Sequence, residues 1–359
     1  MKFSVVNSIC FIVFSASTLA YAQNQPQNSL VALPYAFYTP ETRAAVGVGA
    51  IYSFRPEKSK IDSRPSTLKL AATYTQNKQY ILALIPELYF QDEAWYFYGD
   101  YSFREYPDKF WGIGNNTPSD NEEDFKPRWF RSFTNIQKRI KPGLYVGLRY
   151  NLEHYDIIEY ESGRLLQNQV IDRASVGFAS GLGIILNHDT RNNIYFPTKG
   201  FYNQVHALAF KKAFGSDFDF NLFTVDLRLY LPAYKNHVLA IQNFNIFGEG
   251  DVPLNILGPL GGGYYARGFY LGRYRDKKMM TMQAEYRVPL FWRIGAVAFV
   301  GVGDVAGRMT DFKAGNFKVT KGVGIRLKIN SAENINARAD IGVSPEGDVG
   351  VYMLVVEAF

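Results

Sequence analysis

The sequence predicts a transmembrane antiparallel β-barrel of about sixteen strands, and three observations lead there. An export signal opens the chain, a period of two runs through the remainder, and charged side chains recur on one face of the alternating segments.

The signal comes first. Lys2 supplies a positive n-region, residues 3–19 form an apolar run broken only by small polar residues and Asn7, and Ala20-Tyr21-Ala22 fits a signal-peptidase site. The flank beyond Ala22, Gln23-Asn24-Gln25-Pro26-Gln27-Asn28, is uncharged, whereas a retained anchor is followed by basic stop-transfer residues. The expected organisation is therefore a cleaved signal peptide at 1–22, a short periplasmic segment at 23–30, and a barrel over 31–359. The sole cysteine, Cys10, leaves with the signal and stands too early for a lipoprotein site, so disulfides and thiolate metal sites drop out.

Composition excludes other membrane architectures. Charged residues make up 20% of the chain, and no segment after the signal approaches the ~18 apolar residues of a membrane helix. Yet aromatics reach 16%, with 25 Tyr, 28 Phe and 31 Gly, as expected of strands with one apolar and one wet face. The net charge of +6 is scattered, so no nucleic-acid footprint forms.

The alternation is explicit. In 334–343, Ile335, Ala337, Ala339 and Ile341 share one face, and Asn336, Arg338 and Asp340 the other. In 280–288, Met282, Ala284, Tyr286 and Val288 oppose Thr281, Gln283, Glu285 and Arg287. In 223–231, Asp226 and Arg228 oppose Val225, Leu227 and Leu229. Charges at alternate strand positions need a wet interior, which a small soluble sandwich does not offer.

Sixteen such segments are expected near 31–38, 44–54, 67–76, 80–89, 94–104, 127–140, 143–155, 172–187, 200–213, 217–231, 236–248, 278–290, 294–304, 318–330, 334–343 and 348–358. An even count places both strand ends of the barrel on the periplasmic side. The long connections 105–126, 156–171, 249–277 and 305–317 then face outward, and Lys141-Pro142-Gly143, Phe291-Trp292-Arg293 and Asn330-Ser331-Ala332 inward. Residues 55–66 and 188–199 are longer than usual periplasmic turns, and the charges at 55–64 read as solvated.

The first and last strands form the seam. Pro34 lacks a ladder N–H and suits an edge, which predicts either a seam able to open sideways into the bilayer or an ordinary closed barrel missing one bond. Phe359 closes an apolar run beginning at Val349, and a terminal aromatic there suits the interfacial girdle, although Glu357 interrupts the pattern.

Enzyme chemistry is not evident. There is no nucleophile elbow, P-loop or H-E-x-x-H motif, and Gly261-Gly262-Gly263 lacks a following Lys-Ser/Thr. The four histidines, His154, His188, His206 and His237, are dispersed. No catalytic residues, metal site or cofactor are expected.

Gly261-Gly262-Gly263-Tyr264-Tyr265-Ala266-Arg267-Gly268-Phe269, followed by Gly272-Arg273-Tyr274-Arg275-Asp276, resembles the Arg-Gly-Phe/Tyr signature in the sixth extracellular loop of the BamA/TamA family. Three further matches agree in order. They are Asp189-Thr190-Arg191-Asn192-Asn193 with Phe196-Pro197-Thr198-Lys199-Gly200, then Ala284-Glu285-Tyr286-Arg287, then 299–307. The resemblance implies a loop folded into the lumen, and a C-terminal strand read by the assembly machinery. It further implies a role in protein insertion, translocation or lipid handling among outer-membrane lipids. Only residues 23–30 precede the first strand, too few for the family's periplasmic POTRA domains, so separate periplasmic partner proteins are expected. A passive or gated pore is the alternative, and an outer-membrane phospholipase a third that lacks a catalytic set.

The loop motif has its own physics. An arginine brought into a lumen keeps its charge and needs a carboxylate, for which Glu285 is inward by alternation. Gly268 permits close approach or positive φ, and Phe269 can pack the loop tip on the wall. The family's second acid falls in a Phe-x-Asp-x-Gly pattern. Here Phe299-Val300-Gly301-Val302-Gly303 has Gly301 in its place, leaving Asp304 as an off-face substitute.

Overall fold

A computed structural model describes residues 28–55, 65–171, 176–331 and 334–359. The proposed signal peptide and the charges at 56–64 lie outside them. Sixteen strands form the barrel, numbered here in chain order. The first eight are β1 (Asn28–Thr39), β2 (Arg43–Phe54), β3 (Ser66–Thr75), β4 (Tyr80–Phe90), β5 (Trp95–Glu105), β6 (Glu123–Lys141), β7 (Leu144–Tyr160) and β8 (Gly177–Asp189). The second eight are β9 (Gly200–Phe210), β10 (Phe220–Pro232), β11 (Val238–Gly250), β12 (Lys278–Phe291), β13 (Ile294–Ala306), β14 (Lys318–Asn330), β15 (Ile335–Val343) and β16 (Val349–Val355). Each pairs antiparallel with its sequence neighbour, and β1 meets β16 to close the sheet.

Closure answers the central constraint of the bilayer, where an open edge would leave main-chain N–H and C=O groups without partners. The alternation then sorts the side chains. Val46, Val48, Leu148, Ile184, Val323 and Ile325 are exposed on the outer wall, while Gln204, Asp226, Gln242, Glu285, Arg326 and Asp340 are buried inside. No helix among the described residues is long and apolar enough to cross a membrane.

The observed strands depart from expectation at their ends. β1 begins at Asn28, so the segment ahead of it loses its last three residues. β6 and β7 are 19 and 17 residues long, converting part of the expected loops into sheet. Within 105–126, Asp108–Phe110 adds a short strand against β6. β8 begins at Gly177, later than expected, with 172–175 outside the described residues. The seam is thin. β1 pairs with β2 along its whole length from Asn28 to Thr39, but its register with β16 among the described residues is one pair, Tyr38 with Met353.

The last strand corrects the reading of Phe359. β16 ends at Val355, and Val356 takes φ +57°, a left-handed conformation that no continuing strand can hold. The four residues that follow β16 turn inward, so Phe359 is buried beside Tyr230 and Ala240 and lies neither on the seam nor in an interfacial girdle.

Candidate functional site: the sixth loop and its lumen floor

The connection 251–277 between β11 and β12 is the sixth on the outer side. It carries a small hairpin, Gly258–Leu260 paired with Tyr274–Asp276, and one helical turn, Gly262–Tyr265. Leu254, Ile256, Leu257, Leu260, Tyr265 and Phe269 are buried in one cluster with the inward side chains Phe210, Phe220, Phe244, Ile246 and Met279. Phe244 stacks on Tyr265 at 4.5 Å between centroids. The loop therefore lies against the inner wall, where removal of apolar surface from water supplies the main docking force.

Arg267 stands at the centre of this contact and is 1% exposed. Its Nη1 donates to Glu285 Oε2 at 2.7 Å and to Asp340 Oδ2 at 2.9 Å, and its Nη2 to Gln283 Oε1 at 3.4 Å. The guanidinium carbon lies 3.5 Å from the Phe299 ring centroid. Gly268 adopts φ +124°, and a Cβ there would stand 2.8 Å from the main-chain carbon of Val343. Its N–H donates to the Tyr352 hydroxyl, which in turn donates to the Phe269 carbonyl, both at 3.1 Å. Gly342 clears the floor below, since a Cβ on it would meet the Arg267 carbonyl at 2.5 Å.

A wider ion network surrounds the motif. Arg326 donates to Asp340 at 2.5 Å and to Glu357 at 2.6 Å, Arg338 to Asp340 at 2.7 Å, and Arg287 to Glu285 at 2.8 Å. Arg287 also reaches the Phe359 main-chain oxygen at 3.1 Å. Taking such charges out of water costs several kcal/mol each, and only shared, hydrogen-bonded carboxylates offset it.

Two sequence expectations need correction. The second carboxylate is Asp340 of β15, not Asp304, which accepts instead from Asn115 Nδ2 and the Val305 N–H. Gly301 faces Thr320 and Gln283, whereas Gly303 lies under the loop, where a Cβ would meet Leu260 at 2.6 Å. Pro34 sits on the exposed outer face of β1 opposite Val48, away from the loop.

The outer side of the loop is capped by residues the sequence did not single out. The Leu271 N–H donates to Glu41 at 2.8 Å, and the Tyr270 hydroxyl to Asp108 at 3.0 Å. Arg273 binds the hydroxyl and carbonyl of Thr117 at 2.9 and 2.8 Å, and the Gly114 N–H donates to the Arg275 carbonyl at 2.9 Å. Burial pushes the carboxyls of Glu41 and Asp108 above their ordinary values. Their only sequence signal was a carboxylate in a turn, which is common and says nothing of a loop arriving from 230 residues away.

The profile of the Omp85 superfamily domain matches residues 63–349. Among solved structures, BamA from Haemophilus ducreyi lacking POTRA domains 1-3 is similar with a TM-score of 0.62 and 13% identity, over 93% of this chain and 70% of that one. CdiB from Acinetobacter baumannii gives 0.58 and 12%, over 93% and 60%. CdiB from Escherichia coli gives 0.59 and 11%, over 93% and 63%, so the chain spans less than two thirds of either CdiB. At these identities the likeness is one of fold. No curated protein matches the chain.

Proposed function

The chain belongs to the Omp85 superfamily and is an integral protein of the outer membrane, and from that premise we propose that it inserts or translocates protein there without enzyme chemistry of its own. One observation carries the reading: a loop ion-locked to the lumen wall stands beside a seam held, among the described residues, by one register pair. The loop obstructs the lumen, which disfavours free diffusion through the pore. The seam is the weak line of the wall, where a client strand or lipid could be received sideways. Outer-membrane lipids, the assembly machinery acting on the C-terminal strand, and separate periplasmic proteins are the partners this reading requires.

A gated pore is the second reading, favoured by the charged inner wall. Single-channel recording of the purified protein in planar bilayers, beside a deletion of 261–275, separates them. Silence or rare flicker in the intact protein, with steady opening on deletion, supports the loop-obstructed barrel. Large stable currents in the intact protein would overturn it in favour of the pore.

A further inference from the structure

Away from the lock, the inner faces of β5, β6 and β7 carry a second charged cluster with a different balance. Arg104, Arg131 and Arg149 are 5%, 1% and 0% exposed. Two rings tie them together. The Trp129 centroid lies 5.2 Å from the Arg104 guanidinium carbon and 5.6 Å from that of Arg131. The Phe133 centroid lies 5.3 Å from Arg131 and 4.3 Å from Arg149. Ring faces attract cations by about 0.5–2 kcal/mol and do not neutralise them.

Among the described residues, two carboxylates share this wall. Asp100 accepts from Arg131 at 3.1 Å. Glu153 stands opposite Arg131 in the β6–β7 register and accepts from three neutral donors: Trp129 at 3.0 Å, Asn151 at 3.0 Å and Asn255 at 2.7 Å. Among the described residues three guanidiniums share this wall with two carboxylates, and Arg104 Nε and Nη2 are buried with no hydrogen-bond partner. The contrast with the lock lies at Arg104, because there each arginine closes onto a carboxylate. Unbonded donors on a buried cation are costly, and a local excess of positive charge calls for an anionic acceptor. The planar N–H fork of arginine fits an oxyanion best.

We propose that this wall is an oxyanion site. Arg104 binds a phosphate-type group directly, and Arg131 and Arg149 supply the field that holds it. The group comes either from free phosphate or from the phosphorylated headgroup of a lipid. The site is independent of the insertion reading, since a pore would carry it equally.

The test titrates the full-length protein in non-ionic detergent with inorganic phosphate, against chloride at equal ionic strength. Tryptophan fluorescence and thermal unfolding are followed together. Saturable change with phosphate is expected, with the optical part lost in Trp129→Phe and the thermal part kept. Arg104→Gln should weaken phosphate binding by roughly tenfold, the worth of one or two charge-assisted bonds. Should that variant fail to fold, Arg104→Lys keeps the charge but loses the fork, and its phosphate affinity should fall several-fold with the chloride response unchanged. Glycerol phosphate and a short-chain phosphatidylglycerol form a second arm: binding tighter than phosphate assigns the lipid source, and equal or weaker binding the free anion. Phosphate acting no better than chloride, or an Arg104 variant that folds and responds as the original protein does, would overturn the site.

Discussion

Arg267 covers Phe299. The guanidinium carbon stands 3.5 Å from the ring centroid, closer than any other cation–ring contact of this chain's described residues. A ring on one face of the guanidinium leaves its edges to the in-plane acceptors, here Glu285, Asp340 and Gln283. The stack therefore selects arginine over lysine at this position, since an ammonium has no face to stack and no fork to share.

Arg267→Met should break the lock. It leaves Glu285 and Asp340 buried with fewer cations, and loss of one partner in a buried ion cluster costs about 3–5 kcal/mol. The expected outcome is a lower unfolding temperature and a loop newly open to trypsin near Arg273 and Arg275. Arg267→Lys should behave closer to the methionine variant than to the original protein. A loop equally protected in all three would remove the lock from the account.

Backbone fit gives a sharper test than charge. Gly268→Ala places a methyl against Val343 at a φ of +124° that alanine rarely adopts. Strain of about 1–3 kcal/mol follows, before any clash is relieved. Gly342→Val attacks the same contact from the floor, beneath the Arg267 carbonyl. Both should release the loop as judged by labelling of a cysteine placed at Tyr270, although neither removes a charge. Unchanged labelling in both variants would mean that the close approach does not hold the loop.

The outer cap should make loop docking pH-sensitive. Glu41 faces Asp108, Tyr106 and Tyr270, and burial raises its carboxyl above the ordinary value, as it does that of Asp108. A raised carboxyl binds its proton more tightly in the folded state than in the unfolded chain, so stability falls as pH rises through the interval above the ordinary carboxylate range. Unfolding temperature should be higher near pH ~5 than near pH ~7.5. Glu41→Gln keeps an oxygen to accept from the Leu271 N–H without burying a charge, so its profile should be flatter. A steeper loss toward acid than in the original protein would reverse the sign and sink the argument.

What was legible in the sequence divides along local and non-local lines. Thr281, Gln283, Glu285 and Arg287 could be placed inside the barrel because alternation is a property of one strand. Asp340 was equally visible as an inward residue, but its meeting with Arg267 was not. That contact depends on where a 27-residue loop sets its tip across the curvature from β12 to β15. Phe359 was misplaced for a smaller reason. The run 349–359 reads as one strand, and nothing in Val356 announces φ +57°. Gly301 and Gly303 show the same limit, since both face inward and only the docked position of Leu260 distinguishes them.

The seam yields the last prediction. Tyr38 and Met353 are directly opposite, and antiparallel partners stand about 4.5–5.5 Å apart at Cα, within the reach of a disulfide. Cysteines at both positions should form a bridge under oxidation without unfolding the barrel, and the only native cysteine, Cys10, stands far off in sequence. If clients enter sideways, the bridged protein should lose the insertion of a reporter barrel into liposomes, and reductant should restore it. A second bridge between Ala36 and Val46 crosses the fully paired β1–β2 boundary and should leave activity intact. It controls for stiffening as such, because both bridges anchor β1 while only one spans the weak boundary. Full activity in the oxidised Tyr38–Met353 protein would mean that the seam stays closed during work, and that the single register pair reflects a short final strand and nothing more.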